Sequence, residues 1–513
     1  MNTSLLLFFS CLHFLALGGL ALYGLHRLWL VRVWTRERYR PSLALPPLPA
    51  DPELWPRVTV QLPLYNERFV ARRLIDAAAH LDWPASRLDI QVLDDSDDDT
   101  REIIDDCVDQ WSKRGIKVRI LSRPQRHGYK AGALAFGLEQ AHGEFIAIFD
   151  ADFIPDPDFL QRTVPCFSDP NIGMVQTRWG FLNAQHNWLT GVQALLLGPH
   201  FGIEHFVRCR RGLFFNFNGT AGIWRRQAIV DAGGWQSDTV TEDLDLSYRA
   251  QLVGWRFRYL NEVVVSSELP VTLAAFRTQQ QRWAKGSLQT ARKILPRVMR
   301  SSLTMGIKCE AAAHLLANLG WVLGALVILS LYPTIMWRTG IGPYQILRLD
   351  LPLFCGSSLA ILFYFFCYGL VQDERRLLWR LPLLPLVSMG LAPLLGLSAL
   401  AGLVRRGGVF VRTPKCGVLG KGTLPVAFFL YHQRTFLYVG INCLLLIYSL
   451  LPVQFAWQRG TWPAIPLLLV FSSGFLLLMT QELIDRWVGR VRCGRVRSGL
   501  QAEKEWLSED SAG

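Results

Sequence analysis

The chain has 513 residues, with 54 lysines and arginines against 41 aspartates and glutamates, a formal net charge of +13. The length calls for more than one structural unit; half of the residues are hydrophobic and the mean hydropathy is +0.21, high for a soluble protein. Its ten cysteines form no C-x-x-C pair, so neither a disulfide framework nor a zinc site is indicated.

The first apolar run, "LLLFFSCLHFLALGGLALYGL" (5–25), is long enough to cross a bilayer, which needs about 20 apolar residues. It lacks a basic leader and an A-x-A site, which argues against a cleaved signal peptide. Arg27, Arg32, Arg36, Arg38 and Arg40 follow it. Basic residues flank spans on the cytoplasmic side, so 1–34 reads as a membrane helix entering the cytosol. A proline-rich linker (35–55) leads into a soluble region, 56–305. There "RVTVQL", "DIQVLD", "KVRIL" and "EFIAIFD" read as strands, and 67–81, 99–114 and 129–141 as helices. That alternation predicts a parallel α/β sheet.

Four further runs can span: 311–337, 351–371, 435–455 and 464–484. The stretch 382–404 is equally apolar, but Arg375, Arg376, Arg380, Arg405, Arg406 and Arg412 flank both of its ends. With Pro385, Gly390 and Pro393 interrupting it, it reads as a re-entrant or in-plane pair of helices. Five crossings then leave the tail, 486–513, in the cytosol, as Arg486, Arg490, Arg492, Arg495 and Arg497 require. The basic excess is thus topology and contact with anionic lipid; no nucleic-acid motif accompanies it. This is an integral membrane protein whose first partner is the bilayer.

"VLDDSDDDT" (92–100) sets five aspartates within six residues at a strand end, where like charges need a positive partner. Ligands of open parallel sheets bind beyond the carboxyl ends of the strands. Asp94 and Asp95 end one strand, and Asp150 and Asp152 of "DAD" end another. Two acidic clusters converge on one sheet edge, which favours function for Asp94 and Asp95; Asp97 to Asp99 read as turn and helix-capping residues. Asp150 and Asp152 offer hard oxygen ligands suited to Mg²⁺ or Mn²⁺ on a nucleotide diphosphate, and that ion would supply the positive partner. Taken alone they are equally consistent with a surface turn.

Thr241-Glu242-Asp243 opens a helix, either as first-turn acids on the helix dipole or as part of a site. "QQQRW" (279–283) lies on a helix that Pro270 can start. Its Arg282 can brace a diphosphate and its Trp283 can wall a sugar; an interfacial anchor would look the same.

An aspartate pair, D-x-D, T-E-D and Q-x-x-R-W, in this order and followed by membrane spans, resemble the processive family 2 glycosyltransferases of the cellulose-synthase superfamily. "FNFNGTAGIWRR" (215–226) resembles the acceptor-side motif of the cellulose-synthase-like A and C branches, glucomannan and glucan synthases, and of their bacterial relatives. "FVRTPK" (410–415) is similar to the gating loop F-x-V-T-x-K of bacterial cellulose synthase, with Arg412 in place of valine. "HGYKAGAL" adds Lys130. Bacterial cellulose synthase has more spans before its catalytic domain and a C-terminal PilZ domain. Here one span precedes the domain and the tail after 486 is too short for PilZ, so the plant A/C-like architecture is the nearer match.

The resemblance implies an α/β GT-A (Rossmann-like) cytosolic domain between transmembrane helices, with a channel region over 306–485 that includes the gating loop 405–425. It implies an inverting transfer that polymerises a β-linked glycan, a β-glucan or a mannan or glucomannan, from UDP-glucose or GDP-mannose. Asp94, Asp95, Lys130, Asp150, Asp152 and Arg282 would bind the nucleotide sugar, Asp150 and Asp152 through Mg²⁺ or Mn²⁺. Asp243, beside Thr241 and Glu242, would be the base. Asn218, Gly219, Thr220, Gln279 and Trp283 would hold the growing polysaccharide, and Phe410, Thr413 and Lys415 would gate the cleft. The membrane is the plasma or inner membrane, or the Golgi in a eukaryote; accessory export proteins stay open. A single transfer to lipid, as in ceramide glucosyltransferases, shares D, D-x-D and (Q/R)-x-x-R-W. It has no use for "FNFNGTAG" and "FVRTPK". A transporter or non-catalytic export subunit would not need convergent carboxylates on a large α/β insertion.

Overall fold

The computed structural model describes residues 3–40, 46–338, 348–349, 352–371, 375–409, 411–413, 415, 417 and 435–509, with 489–509 as backbone. Seven strands form one sheet in the order β3-β2-β1-β4-β6-β5-β7. They are β1 (Val58–Leu64), β2 (Leu88–Asp94), β3 (Val118–Ser122), β4 (Phe145–Ile148), β5 (Ile172–Phe181), β6 (Gly222–Arg225) and β7 (Arg256–Ser267). A first helix, α1 (Thr3–Glu37), precedes the sheet, and α2 (Ala71–Ala79), α3 (Thr100–Lys113) and α4 (Tyr129–Glu139) connect its strands. β1 runs parallel to β2 and β4, and β2 to β3, as the alternation predicts.

β1 and β2 are buried along almost their whole length because helices cover both faces. Val58, Val60 and Leu62 pack with Leu74, Ile75 and Ile104 on one face. Ile146 and Ile148 pack with Leu134, Phe217 and Trp224 on the other.

The sheet is mixed rather than wholly parallel. β6 runs antiparallel to both β4 and β5, while β5 and β7 are parallel. The reason lies before β6: the chain first reaches the carboxyl end of β4, where Ala221 N donates to Ile148 O (2.9 Å), and then runs back along β4. Reversal is what lets Asn218, Gly219 and Thr220 reach the edge where β1, β2 and β4 end.

After β4 come α5 (Phe159–Thr163), α6 (Trp188–Pro199), a π-turn (His200–His205), α7 (Phe206–Arg210), α8 (Arg226–Asp231), α9 (Glu242–Leu252), α10 (Leu273–Arg300) and α11 (Met305–Leu315). Thr241 holds the N-cap position of α9. Thr272, not Pro270, caps α10, its hydroxyl accepting from Ala275 N at 3.4 Å.

Then follow α12 (Leu319–Trp337), α13 (Ala360–Val371), α14 (Leu383–Val404), α15 (Thr435–Gln458) and α16 (Ile465–Glu509). Among the described residues, six helices are long and apolar enough to cross a membrane, α14 among them. The expected broken pair at 382–404 is instead one continuous helix containing Pro393. Its glycines are crossing points rather than breaks: a Cβ on Gly390 would lie 2.9 Å from Gly474 O of α16, and one on Gly402 would meet Lys285 O of α10. Both ends of α14 reach elements outside the spans. Just before it, Arg380 Nη1 donates to Ala184 O (2.9 Å); at its end, Arg292 of α10 donates to Leu403 O (2.7 Å).

Candidate active site

A cleft opens at the carboxyl edge of the sheet. Its wall carries Asp95, Lys130, Asp150, Asp152, Asn218, Gly219, Thr241, Glu242, Asp243, Gln279, Arg282, Trp283, Thr413 and Lys415. Residues from strand ends, from α9 and α10 and from the 405–425 loop thus share one cavity. Two sequence-predicted residues sit behind the wall. Asp94 is 4% exposed and accepts from Ser96 N (2.9 Å), with Arg101 at 3.9 Å. Thr220 is fully buried and its hydroxyl accepts from Asp150 N (2.8 Å), so it fixes the D-x-D turn. Phe410 lies outside the described residues.

The positive partner of the aspartate cluster is protein. Arg123 grips Asp95 with Nε (3.0 Å) and Nη2, a fork-to-carboxylate pair. Asp97 binds the Asn66 amide (2.7 Å), Asp98 Oδ1 accepts from Thr100 N (3.0 Å), and Asp99 pairs with Arg68 (2.9 Å). These three shape the turn and the start of α3.

Asp150 and Asp152 each commit one oxygen to a lysine: Asp150 Oδ1 to Lys130, and Asp152 Oδ2 to Lys415 at 2.7 Å. Among the described residues no third carboxylate, histidine or cysteine joins them in a metal-holding group. Two carboxylates suit an octahedral Mg²⁺ or Mn²⁺ that completes its shell with water and diphosphate oxygens, so the donor set fits such an ion.

Glu242 and Asp243 open α9 together. Burial and the neighbouring Glu242 push Asp243 up to about 7, with Lys130 and Arg282 opposing. Asp243 Oδ1 accepts from Leu244 N (2.8 Å), so one oxygen satisfies a backbone N–H at the start of α9 while Oδ2 faces Gly219. Burial lowers Arg282 despite Glu242, Asp150 and Asp243 nearby. Gln279 Oε1 and Thr413 Oγ1 are buried on the cleft wall without a hydrogen-bond partner among the described residues. Both are open to a ligand.

Arg412, the position that departs from the gating-loop pattern, is tied to the segment that follows β1. Arg412 donates to Tyr65 O (3.2 Å) and to Asn66 O, and pairs with Glu67 (3.1 Å). Burial raises Glu67 to about 8 even beside Arg412 and Lys415.

Glu67, Tyr65, Arg126 and Glu268 are cleft residues the sequence reading passed over. The rule that found Asp95 and Asp150 reaches two of them: Glu67 follows β1 and Glu268 follows β7. Arg126, stacked 3.3 Å over the Tyr65 ring, had no such signal.

Residues 56–286 match the model of the family described as glycosyltransferase-like family 2. Glucomannan 4-beta-mannosyltransferase 2 of Arabidopsis thaliana is 47% identical over 264 residues, 50% of this chain and 49% of that protein. Probable glucomannan 4-beta-mannosyltransferase 9 of rice (Oryza sativa subsp. japonica) is 46% identical over 256 residues, 48% of this chain and 49% of that one. The chain spans about half the length of the curated relatives it matches. Among solved structures, the mannosyltransferase PcManGT from Pyrobaculum calidifontis, in complex with GDP-Man and Mn²⁺, shares the fold: TM-score 0.51 at 19% identity, over 77% of this chain and 99% of that one. The family match and these identities place residues 56–286, a little under half of the chain, with the family 2 glycosyltransferases.

Proposed function

We propose that the protein is a membrane-embedded, inverting β-mannosyltransferase that elongates a mannan or glucomannan from GDP-mannose and passes the product through its own membrane helices. The observation that carries this reading is the 47% identity to a glucomannan 4-beta-mannosyltransferase over half of the chain, beside a family match over 56–286 that contains the cleft residues from Pro63 to Trp283.

Asp243 Oδ2 takes the proton of the acceptor hydroxyl as that oxygen bonds to C1 of the mannosyl group. The bond from C1 to the diphosphate oxygen breaks on the opposite face, and the nucleoside diphosphate leaves with its electron pair. A base near neutrality is matched to this proton transfer. Asp150 and Asp152 would hold Mg²⁺ or Mn²⁺, which when bound stabilises charge on the departing diphosphate. Lys130 and Arg282 add fixed positive charge there. Trp283 offers the terminal sugar a flat apolar face, and Gln279 offers it a hydrogen bond. Catalytic domain and loop lie in the cytosol, and α14 lies in the membrane plane, a placement supported by the contacts at both its ends.

The test is purified protein incubated with radiolabelled GDP-mannose or UDP-glucose, followed by digestion with linkage-specific mannanases and glucanases. Label from GDP-mannose in mannanase-sensitive polymer is expected. Incorporation from UDP-glucose alone, or a single-sugar lipid product, would overturn the reading.

A further inference from the structure

Asn218 is held from behind by two histidines of the π-turn. His205 Nε2 donates to Asn218 Oδ1 (2.5 Å), and Asn218 Nδ2 donates to His200 Nε2 (2.9 Å). The Asn218 backbone N–H is fixed as well, donating to Gln176 Oε1 (2.9 Å). An amide has two donors and two acceptor sites. The histidines take one of each, so one N–H and one oxygen lone pair remain on a residue that lines the cleft. A sugar hydroxyl both donates and accepts, and a rigid amide offers it both halves.

The histidine tautomers decide which end of the amide points where. His200 accepts at Nε2, so its proton sits on Nδ1, which faces Glu204 Oε2 at 3.5 Å. Glu204 is immobilised by Arg27 of α1 (2.5 Å), by Arg208 (3.1 Å) and by the Tyr364 hydroxyl of α13 (2.9 Å). Burial, with His200 and Arg208 near, holds His205 well below its ordinary range, so it stays neutral. The π-turn brings the His200 and His205 rings together, centres 4.4 Å apart and planes tilted by 57°; such turns recur at functional sites.

We propose that His200 and His205 are positioning residues that orient the Asn218 amide toward a hydroxyl of the acceptor sugar, with the His200 tautomer set through Glu204 by Arg27 of the first membrane helix. This rests on reading Asn218 as an acceptor contact.

The experiment uses the full chain in lipid nanodiscs with GDP-mannose as donor and β-1,4-mannotetraose as acceptor. His200→Asn keeps a polar group near Glu204 but is too short to reach Asn218. It is expected to raise the mannotetraose KM about tenfold, the size of one lost orienting hydrogen bond, and to leave the GDP-mannose KM unchanged. His200→Gln, whose amide reaches where Nε2 stood, should restore most of the loss. In an Asn218→Ala background, His200→Asn should add nothing, because coupled residues are non-additive. If His200→Asn is poorly folded, His200→Phe serves with the same expectation. A normal mannotetraose KM in the His200 variants, or an undiminished effect in the Asn218→Ala background, overturns the proposal. An Asn218→Ala enzyme with a normal mannotetraose KM overturns the acceptor reading itself and this inference with it.

Discussion

Gly219 and Asp243 face each other across the cleft floor so closely that a Cβ on Gly219 would lie 3.0 Å from Asp243 Oδ2 and 3.4 Å from Lys130 Nζ. Gly219 also has a φ of +83°, which L-residues with side chains rarely adopt. Gly219→Ala therefore combines backbone strain of about 1 kcal/mol with a methyl group on the proposed base. Turnover should fall by about 10²-fold, the cost of displacing a reacting group by an ångström. Turnover and thermal unfolding of the purified variant check this; a fall in stability without a fall in turnover would place the acceptor elsewhere.

The two oxygens of Asp243 separate two roles. Asp243→Asn keeps an oxygen able to accept from Leu244 N, so stability should not fall by more than about 1 kcal/mol. The base is lost, and turnover should drop about 10²–10⁴-fold while nucleotide-sugar affinity holds. Since Asp243 is raised to about 7, wild-type turnover should rise with pH through that value as the carboxylate forms. The same shift means the folded state holds a proton that the unfolded state has released. Stability then falls as pH rises from the ordinary carboxylate range to about 7. A flat pH–turnover profile between pH 6 and 8 would assign the proton to another group.

How much of this was legible before the fold was known follows from strand geometry. Asp95, Asp150 and Asp152 stand at carboxyl ends of strands that short apolar runs mark clearly, so position and chemistry agree. Glu67 was equally accessible to that rule, but a lone acid after "LPLYN" carries no spacing to draw attention. The Asn218–His200–His205 group was beyond reach, because it depends on the antiparallel entry of β6 and on a π-turn with no local signature. Pro393 misled: proline and glycine punctuate isolated helices, whereas here close packing on α10, α12 and α16 holds one helix through them. The positive partner of the Asp94–Asp99 run was read as a metal-bound diphosphate; in the fold, Arg123 pairs with Asp95.

Transfer should require a divalent metal. Asp150 and Asp152 are tied to Lys130 and Lys415 by one oxygen each, so a metal-diphosphate complex would meet two carboxylates already bracketed by positive charge. Excess EDTA should abolish transfer, and Mn²⁺ or Mg²⁺ should restore it. Asp152→Asn preserves shape, removes a hard ligand and should lose at least about 10²-fold in turnover at saturating metal. Full activity in EDTA would leave the lysines and Arg282 as the whole electrophilic machinery.

The membrane path turns on α14. Its length and apolarity alone would let it cross. A crossing helix, however, puts its two ends about 30 Å apart on opposite sides of the hydrocarbon. Here Arg380, just before α14, bonds Ala184 O beside α6, whereas Leu403 and Val404 bond Arg292 of α10, and Gly407 N donates to Asp238 O (2.8 Å). Ala184, Arg292 and Asp238 all belong to the catalytic region, so both ends should share its side. On a cysteine-free background, Val409→Cys is exposed enough to report. In sealed vesicles with the catalytic domain inside, it should resist an impermeant maleimide until the membrane is permeabilised. Arg459→Cys, in the turn between α15 and α16, should label from outside at once. If α14 crosses instead, the two results exchange: Val409→Cys labels in sealed vesicles and Arg459→Cys does not, and the loop carrying Thr413 and Lys415 could not reach the cytosolic cleft.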